Sequence, residues 1–262
     1  MLCVKDVHLY AFFFMKNFLI DIGNSAIKTA WSSPNSLHIM NAGRFDYNKK
    51  TFRSEFEKIM KECRRDCKEE PSVAGVSLLD KSLRRTVNSL IRKVLNAETE
   101  FVTPASNLPY KLKYAETIGP DRLCSSAAAV KLSGSPVVLT IDFGTATTFT
   151  IVSNGSLTGG MISPGIGTSF SALISKTTLP KAKLRFPESV FTGTTEENIR
   201  AGVLYQSLFT VERVIEEAGR EFGQVVTCCT GGYSRLIFER TKLIDLRDPY
   251  LVLKGINIII SS

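Results

Sequence analysis

The chain has 262 residues, 44% of them hydrophobic and 22% charged, with 33 Lys and Arg against 25 Asp and Glu. That usage excludes a wholly disordered chain, and the length suits two domains of roughly 100–130 residues each. The net charge of +8 is scattered along the chain; its densest group, Lys61, Arg64, Arg65 and Lys68, is interleaved with acids and reads as a solvated helix face, not a nucleic-acid patch.

Residues 9–20, LYAFFFMKNFLI, are the most apolar stretch near the start. They are too short for a membrane span, Lys16 interrupts them, and no small-residue cleavage site follows. Met15 directly precedes the first strand pattern, so residues 1–14 read as an extension from an upstream start codon; an apolar anchor is the alternative. Strands are predicted over Phe18–Ile22, Ile27–Trp31 and Leu37–Phe45, with Gly23-Asn24-Ser25 turning between the first two. Thr51–Glu69 places Phe52, Phe56, Ile59, Cys63 and Cys67 at helical spacing. Ser72–Leu78 returns to strand, and Lys81–Leu95 is a second helix with Asp80 as N-cap. Arg122–Leu132 is a small-residue helix that stops at Gly134.

A second cycle then begins. Pro136–Asp142, Thr145–Val152 and Leu157–Ile162 are predicted strands, with a hairpin turn at Ser153-Asn154-Gly155. Gly167–Thr177 and Glu196–Glu221 are predicted helices, Gln224–Cys229 a strand, Ser234–Arg240 a short helix. The tail, Tyr250–Ile260, is too apolar to be loose. Leu19-Ile20-Asp21-Ile22-Gly23-Asn24-Ser25 is echoed by Thr140-Ile141-Asp142-Phe143-Gly144-Thr145-Ala146, which points to an internal duplication. Residues 15–133 and 134–262 are the two domains expected from it, with Ser133-Gly134-Ser135-Pro136 as linker. The six cysteines form no CxxC pair and there are two histidines, which argues against zinc and for buried thiols in a reducing cytoplasm.

The two hairpins carry phosphate chemistry. Gly23 lets backbone N–H groups approach phosphate oxygens, Asn24 and Ser25 add polar donors, and Lys28 offsets charge. Asp21 is repulsive to phosphates unless Mg²⁺ lies between. Gly144 and Thr145 can act likewise from the second half, and Thr230-Gly231-Gly232 can flank an adenosine. In Gly119-Pro120-Asp121-Arg122, Asp121 is either a helix cap or an acceptor for a substrate hydroxyl proton, and Arg122 can hold a carboxylate.

These motifs, D-I-G-N-S-x-x-K, G-x-D-R, D-F-G-T-A-T-T and G-G-x-I-x-P-G (Gly159 to Gly165), taken in order, resemble those of type III pantothenate kinases. Leu179-Pro180, the T-x-x-x-I-x-x-G run from Thr195 to Gly202, TGG and L-x-L-K-G at 251–255 extend the resemblance from Met15 to the C-terminus. It implies an α/β fold of two duplicated actin-like (ribonuclease H-like) domains with a nucleotide cleft between them. The implied activity is transfer of the ATP γ-phosphate to pantothenate, the first step of coenzyme A synthesis. Asp21, Ile22, Gly23, Asn24, Ser25, Ala26, Ile27 and Lys28 would contact ATP and its Mg²⁺, with Thr145 also on ATP. Asp121 would be the proton acceptor, and Gly119, Pro120, Asp121, Arg122 and Thr195 would hold pantothenate. Asp142 would bind a monovalent cation, K⁺ or NH₄⁺, with carbonyls around Phe143–Thr145 and Gly160–Pro164 completing its shell. Two departures stand out. Ser25 replaces the usual Thr but keeps the hydroxyl, and the substrate-contacting Tyr before GxDR, assigned to Tyr114, lacks the usual Pro after it, which leaves Tyr110 as the alternative. A cytoplasmic homodimer is implied, with no nucleic-acid or membrane partner, and Val203, Leu204 and Leu208 are candidates for its apolar face. The competing reading is a non-catalytic nucleotide-binding or regulatory relative.

Overall fold

The computed structural model describes residues 17–65, 70–71, 73–178 and 183–262. The expectations for residues 1–14, for Met15, for Cys67 and for Leu179-Pro180 fall outside them. Packing divides the described chain into two units. The first comprises residues 17–109, 115–128 and 251–262; the second comprises residues 110–114 and 129–250.

The first unit opens with an antiparallel meander of β1 (Asn17–Ile22), β2 (Ala26–Ser32) and β3 (Ile39–Asp46). Helix α1 (Phe52–Arg65) leads to β4 (Val73–Leu78), parallel to β1, and helix α2 (Arg84–Leu95) leads to β5 (Glu98–Phe101), parallel to β4. The strand order is β3-β2-β1-β4-β5. Phe18, Ile20 and Ile22 face Val76, Leu78, Phe56, Met60, Leu90 and Ile91 in one apolar core, each such side chain contributing about 1.5–3 kcal/mol by leaving water. The helix predicted from Lys81 instead begins as a 3₁₀ turn, Lys81–Leu83, before α2. Asp80 accepts from the Ser82 N–H at 3.1 Å and from the Ser82 hydroxyl, and the Leu83 N–H reaches the Asp80 carbonyl at 3.1 Å, an i→i+3 bond that tightens the entry.

The second unit repeats the plan. β7 (Val137–Phe143), β8 (Ala146–Ser153) and β9 (Ser156–Pro164) form an antiparallel meander. Its β8–β9 turn has Asn154 at φ 47° and Gly155 at φ 70°, the positive pair a two-residue primed turn requires. Helices α4 (Ile166–Ser175) and α5 (Thr195–Phe222) precede β10 (Val226–Thr230), parallel to β7. The short helix α6 (Ser234–Phe238) precedes β11 (Leu246–Arg247). The order β11-β10-β7-β8-β9 matches that of the first sheet, and β6 (Lys111–Leu112) is added beyond β9. Helix α3 (Pro120–Ser133) contributes its first nine residues to the first unit and the rest to the second.

The C-terminal helix α7 (Leu251–Ile260) follows the second repeat in sequence but packs with the first sheet, so a division at 133/134 does not describe the packing units. The reason is a close helix contact and a buried polar clasp. A Cβ on Gly255 would fall onto the Cys124 carbonyl and 2.7 Å from its Cα, so only glycine allows this approach of α7 to α3. Asn257 is fully buried; it accepts from the Asn17 amide at 2.8 Å and donates to the Ser32 hydroxyl at 3.0 Å and the Ser36 carbonyl at 2.8 Å. A buried amide left without such partners would be costly.

Candidate active site

The first half-site is built around the β1–β2 turn. The Gly23 N–H donates to the Ala26 carbonyl at 3.0 Å, leaving Asn24 and Ser25 exposed at the tip. Ile22, Ala26 and Ile27 are buried, so of these expected nucleotide contacts only the main chain is available to a ligand. The Tyr47 hydroxyl donates to the Gly23 carbonyl at 2.9 Å and pins the turn from β3's far end; burial, with the Asp80 charge, pushes the Tyr47 phenol above its usual range. Asp21 is 5% exposed. The Ser77 hydroxyl donates to its Oδ1 at 3.0 Å, and the Lys28 ammonium stands 3.6 Å from its Oδ2. Neither Ser77 nor Tyr47 was expected at the site. Ser77 left a trace, a lone hydroxyl in the apolar run Val73–Leu78, whereas nothing in the sequence marks Tyr47.

Asp121 lies in the first turn of α3, half-buried, in the same unit as Asp21. Its Oδ1 accepts from the Arg122 N–H at 2.9 Å. That oxygen occupies the space a Cβ on Gly119 would take, so the glycine of G-x-D-R is what lets the carboxylate fold back there. Burial first, and the Asp21 charge second, push the Asp121 carboxyl up to about 6, against the backbone donor and the Arg122 guanidinium. A helix-capping carboxylate is ordinarily held low; this one is raised instead, into the range in which a carboxylate can exchange a proton near neutral pH. Arg122 itself is 5% exposed. The neighbouring Cys124 is buried, and its thiol is pushed well up by burial and by both aspartates, so it is not a nucleophile.

The second half-site uses the β7–β8 turn. The Gly144 N–H donates to the Ala146 carbonyl at 3.1 Å, Thr145 is exposed at the tip, and Asp142 is half-buried behind it. Gly231, at φ 95°, approaches so closely that an added Cβ would lie 2.6 Å from the Phe143 main chain and against the Asp142 carboxylate. The TGG element is therefore packed directly onto the hairpin. Of the carbonyls nominated as a cation shell, that of Phe143 accepts from the Tyr233 N–H at 3.3 Å. That of Thr145 accepts from the Gly165 N–H at 3.1 Å and the Thr168 hydroxyl at 2.6 Å. Each already accepts protein hydrogen bonds.

Thr195 opens α5 in the second unit and is exposed; the cap is Thr194, which accepts from the Glu197 N–H. Tyr114 is half-buried and ends the short segment that carries β6, while Tyr110 at its start is buried. Val203, Leu204 and Leu208 are buried in the second core and form no free face. The apolar surface of α5 is turned elsewhere: Tyr205 and Phe209 line a groove with Val190 and Phe191, the last 92% exposed. The sequence marked Val203, Leu204 and Leu208 as an apolar side of this helix but not what would cover it.

The sequence model described as type III pantothenate kinase matches residues 17–217. A type III pantothenate kinase of Petrotoga mobilis is 34% identical over 190 residues, 71% of this chain and 74% of that one. Another, from Dictyoglomus turgidum, is 30% identical over 248 residues, 90% of this chain and 95% of that one. A solved structure from Campylobacter jejuni, described as a conserved Baf family transcriptional activator, superposes with a TM-score of 0.60 at 17% identity, covering 93% and 96% of the two chains. At that identity the likeness speaks to the fold.

Proposed function

The chain belongs to the type III pantothenate kinase family, and from that premise we propose how its own residues carry out the ATP-dependent phosphorylation of pantothenate to 4′-phosphopantothenate, the first step of coenzyme A synthesis. The observation that carries the assignment is Asp121: a half-buried carboxylate, pushed up to about 6, in the same packing unit as a phosphate-type turn. Asp121 accepts the proton of the pantothenate hydroxyl as that oxygen attacks the γ-phosphate. Phosphoryl transfer is loose and gains mainly from positioning, so the carboxylate need not match an alcohol in basicity. Gly119, Pro120, Arg122, Thr195 and Tyr114 are the proposed pantothenate contacts, with the Arg122 guanidinium meeting the substrate carboxylate.

The exposed tip of the first turn, Asn24 and Ser25, supplies N–H and side-chain donors to the triphosphate, Gly23 leaving room for the phosphate to approach, with Lys28 as a fixed positive charge and Thr145 donating from the second turn. Asp21 suits a Mg²⁺ arriving with ATP: it is a hard carboxylate, Ser77 engages one of its oxygens by a neutral donor, and the Lys28 ammonium, 3.6 Å from the other, offsets only part of its charge. That ion would neutralise charge between the triphosphate and Asp21. For Asp142 we propose a larger, weakly hydrated cation, K⁺ or NH₄⁺. In support, Thr148 stands opposite Asp142 at the register position Lys28 takes opposite Asp21. We also propose a homodimer through the groove of Val190, Phe191, Tyr205 and Phe209, and a cytoplasmic setting in which the buried thiols stay reduced. No helix among the described residues is long and apolar enough to cross a membrane.

The test is a substrate panel. The purified chain, given Mg²⁺, ATP and K⁺, should release ADP with pantothenate and form 4′-phosphopantothenate by mass spectrometry, and release little with other small alcohols. A chain that binds ATP but transfers to none of them is the non-catalytic relative instead.

A further inference from the structure

We propose that Ser77 is a positioning residue of the first half-site, acting on nucleotide through Asp21; the inference rests on the kinase reading above. Lys28, Asp21 and Ser77 are direct register partners on β2, β1 and β4, so they stand abreast in one row across three adjacent strands. Ser77 is fully buried and donates to Asp21 Oδ1 at 3.0 Å, while Lys28 approaches Oδ2 at 3.6 Å from the other side. Two contacts on different oxygens from opposite strands fix the rotation of the carboxylate about its last side-chain bond.

The row is not a general requirement of this sheet plan. The corresponding row of the second sheet is Thr148, Asp142 and Thr230, and there the buried Thr230 hydroxyl has no hydrogen-bond partner among the described residues. A polar side chain at the β4 position is therefore tolerated without a partner in one copy, and its hydrogen bond to the carboxylate is specific to the other. A hydroxyl is also the donor type that orients a carboxylate without cancelling its charge, as an ammonium at the same distance would. Mg²⁺ demands near-ideal ligand geometry and dehydrates reluctantly, so a carboxylate free to rotate would meet it less often in the productive pose. Partners that hold a metal-binding side chain from behind are commonly worth ten- to a hundredfold in metal affinity.

The experiment is calorimetric titration of the full chain with ATP, without pantothenate, once in excess Mg²⁺ and once in EDTA. Ser77→Ala should weaken ATP binding about tenfold in Mg²⁺ and leave the EDTA value unchanged. The loss should vanish when the same change is made in an Asp21→Asn background, because a residue acting through Asp21 is silent once its charge is gone. Unchanged affinity in Mg²⁺, equal loss with and without Mg²⁺, or an undiminished loss in the Asp21→Asn background would each overturn the proposal. If Ser77→Ala does not fold, Ser77→Cys, near-isosteric with a much weaker donor, takes its place under the same criteria. A wild-type chain that binds no ATP would overturn the kinase reading and this inference together; a binding wild type with an indifferent variant overturns this inference alone.

Discussion

The two sheets share a strand order, a parallel fourth strand and an Asp-x-Gly turn at the same place, yet the side chains flanking each aspartate differ in kind. Asp21 is met by an ammonium and a hydroxyl, Asp142 by two threonines in register. Among the described residues the second sheet leaves the buried hydroxyls of Thr140, Thr227 and Thr230 without hydrogen bonds; the first sheet leaves only that of Thr99 on its edge strand β5, while Ser77 and Ser32 are satisfied. Duplication copied the backbone, which period and turn chemistry dictate. It did not copy the electrostatics, which depend on a few residues at fixed register. The first half carries a carboxylate, Asp121, raised by burial and by a second aspartate; the second carries a glycine-packed turn in front of an aspartate.

The sharpest way to break that contrast is Asp121→Asn, which should lower kcat on the order of 10³-fold with ATP affinity nearly unchanged by calorimetry. In the wild type, kcat/KM should rise with pH through about 6 and level off above it. The stability effect runs the other way. A carboxyl whose folded value is raised from 3.8 to about 6 favours folding while protonated, and that advantage is lost as pH rises through 6. Asp121→Asn should therefore be more stable than wild type at pH 7.5, on the order of 3 kcal/mol, with the gap closing toward pH 4 in denaturant titrations. A variant that retains activity, or whose gap widens on acidification, leaves Asp121 as a helix cap.

In the second half, Gly231→Ala should cost on the order of 3 kcal/mol in chemical unfolding, because the added methyl meets both a positive φ and the Phe143 main chain. A smaller loss would show that the TGG element can move off the hairpin. Asp142→Ala should remove most of the rate stimulation by K⁺ or NH₄⁺ over Na⁺ at matched ionic strength. Wild-type rates that are equal in Na⁺ and K⁺ would make the second aspartate a structural hairpin residue. The smallest effect concerns the unsatisfied hydroxyls: Thr230→Val should leave stability unchanged or raise it by up to about 1 kcal/mol, whereas Ser77→Ala should lower it, since Asp21 loses a donor. Equal destabilisation by both would erase the distinction between the rows.

Most of the strands and both glycine turns were legible from sequence, because alternation and turn residues are local signals. Asp121 was legible as an acceptor or a cap, but its pKa was not, since that depends on burial and on Asp21, one hundred positions away in the chain. Val203, Leu204 and Leu208 were legible as one apolar side of α5, yet they line the core, and Phe209 with Phe191 faces outward instead. Periodicity identifies an apolar side without saying what covers it.

By itself the sequence determined the duplicated plan, the family's motifs in order and the residue types at each turn, since all of these are set by neighbours a few positions apart. Only the tertiary structure decided that α7 belongs with the first sheet, through a hydrogen bond between residues 240 positions apart and a glycine on the Cys124 carbonyl. The same holds for the row of Lys28, Asp21 and Ser77. Strand register joins positions that no local pattern couples, and one register step would turn Ser77 to the opposite face of the sheet.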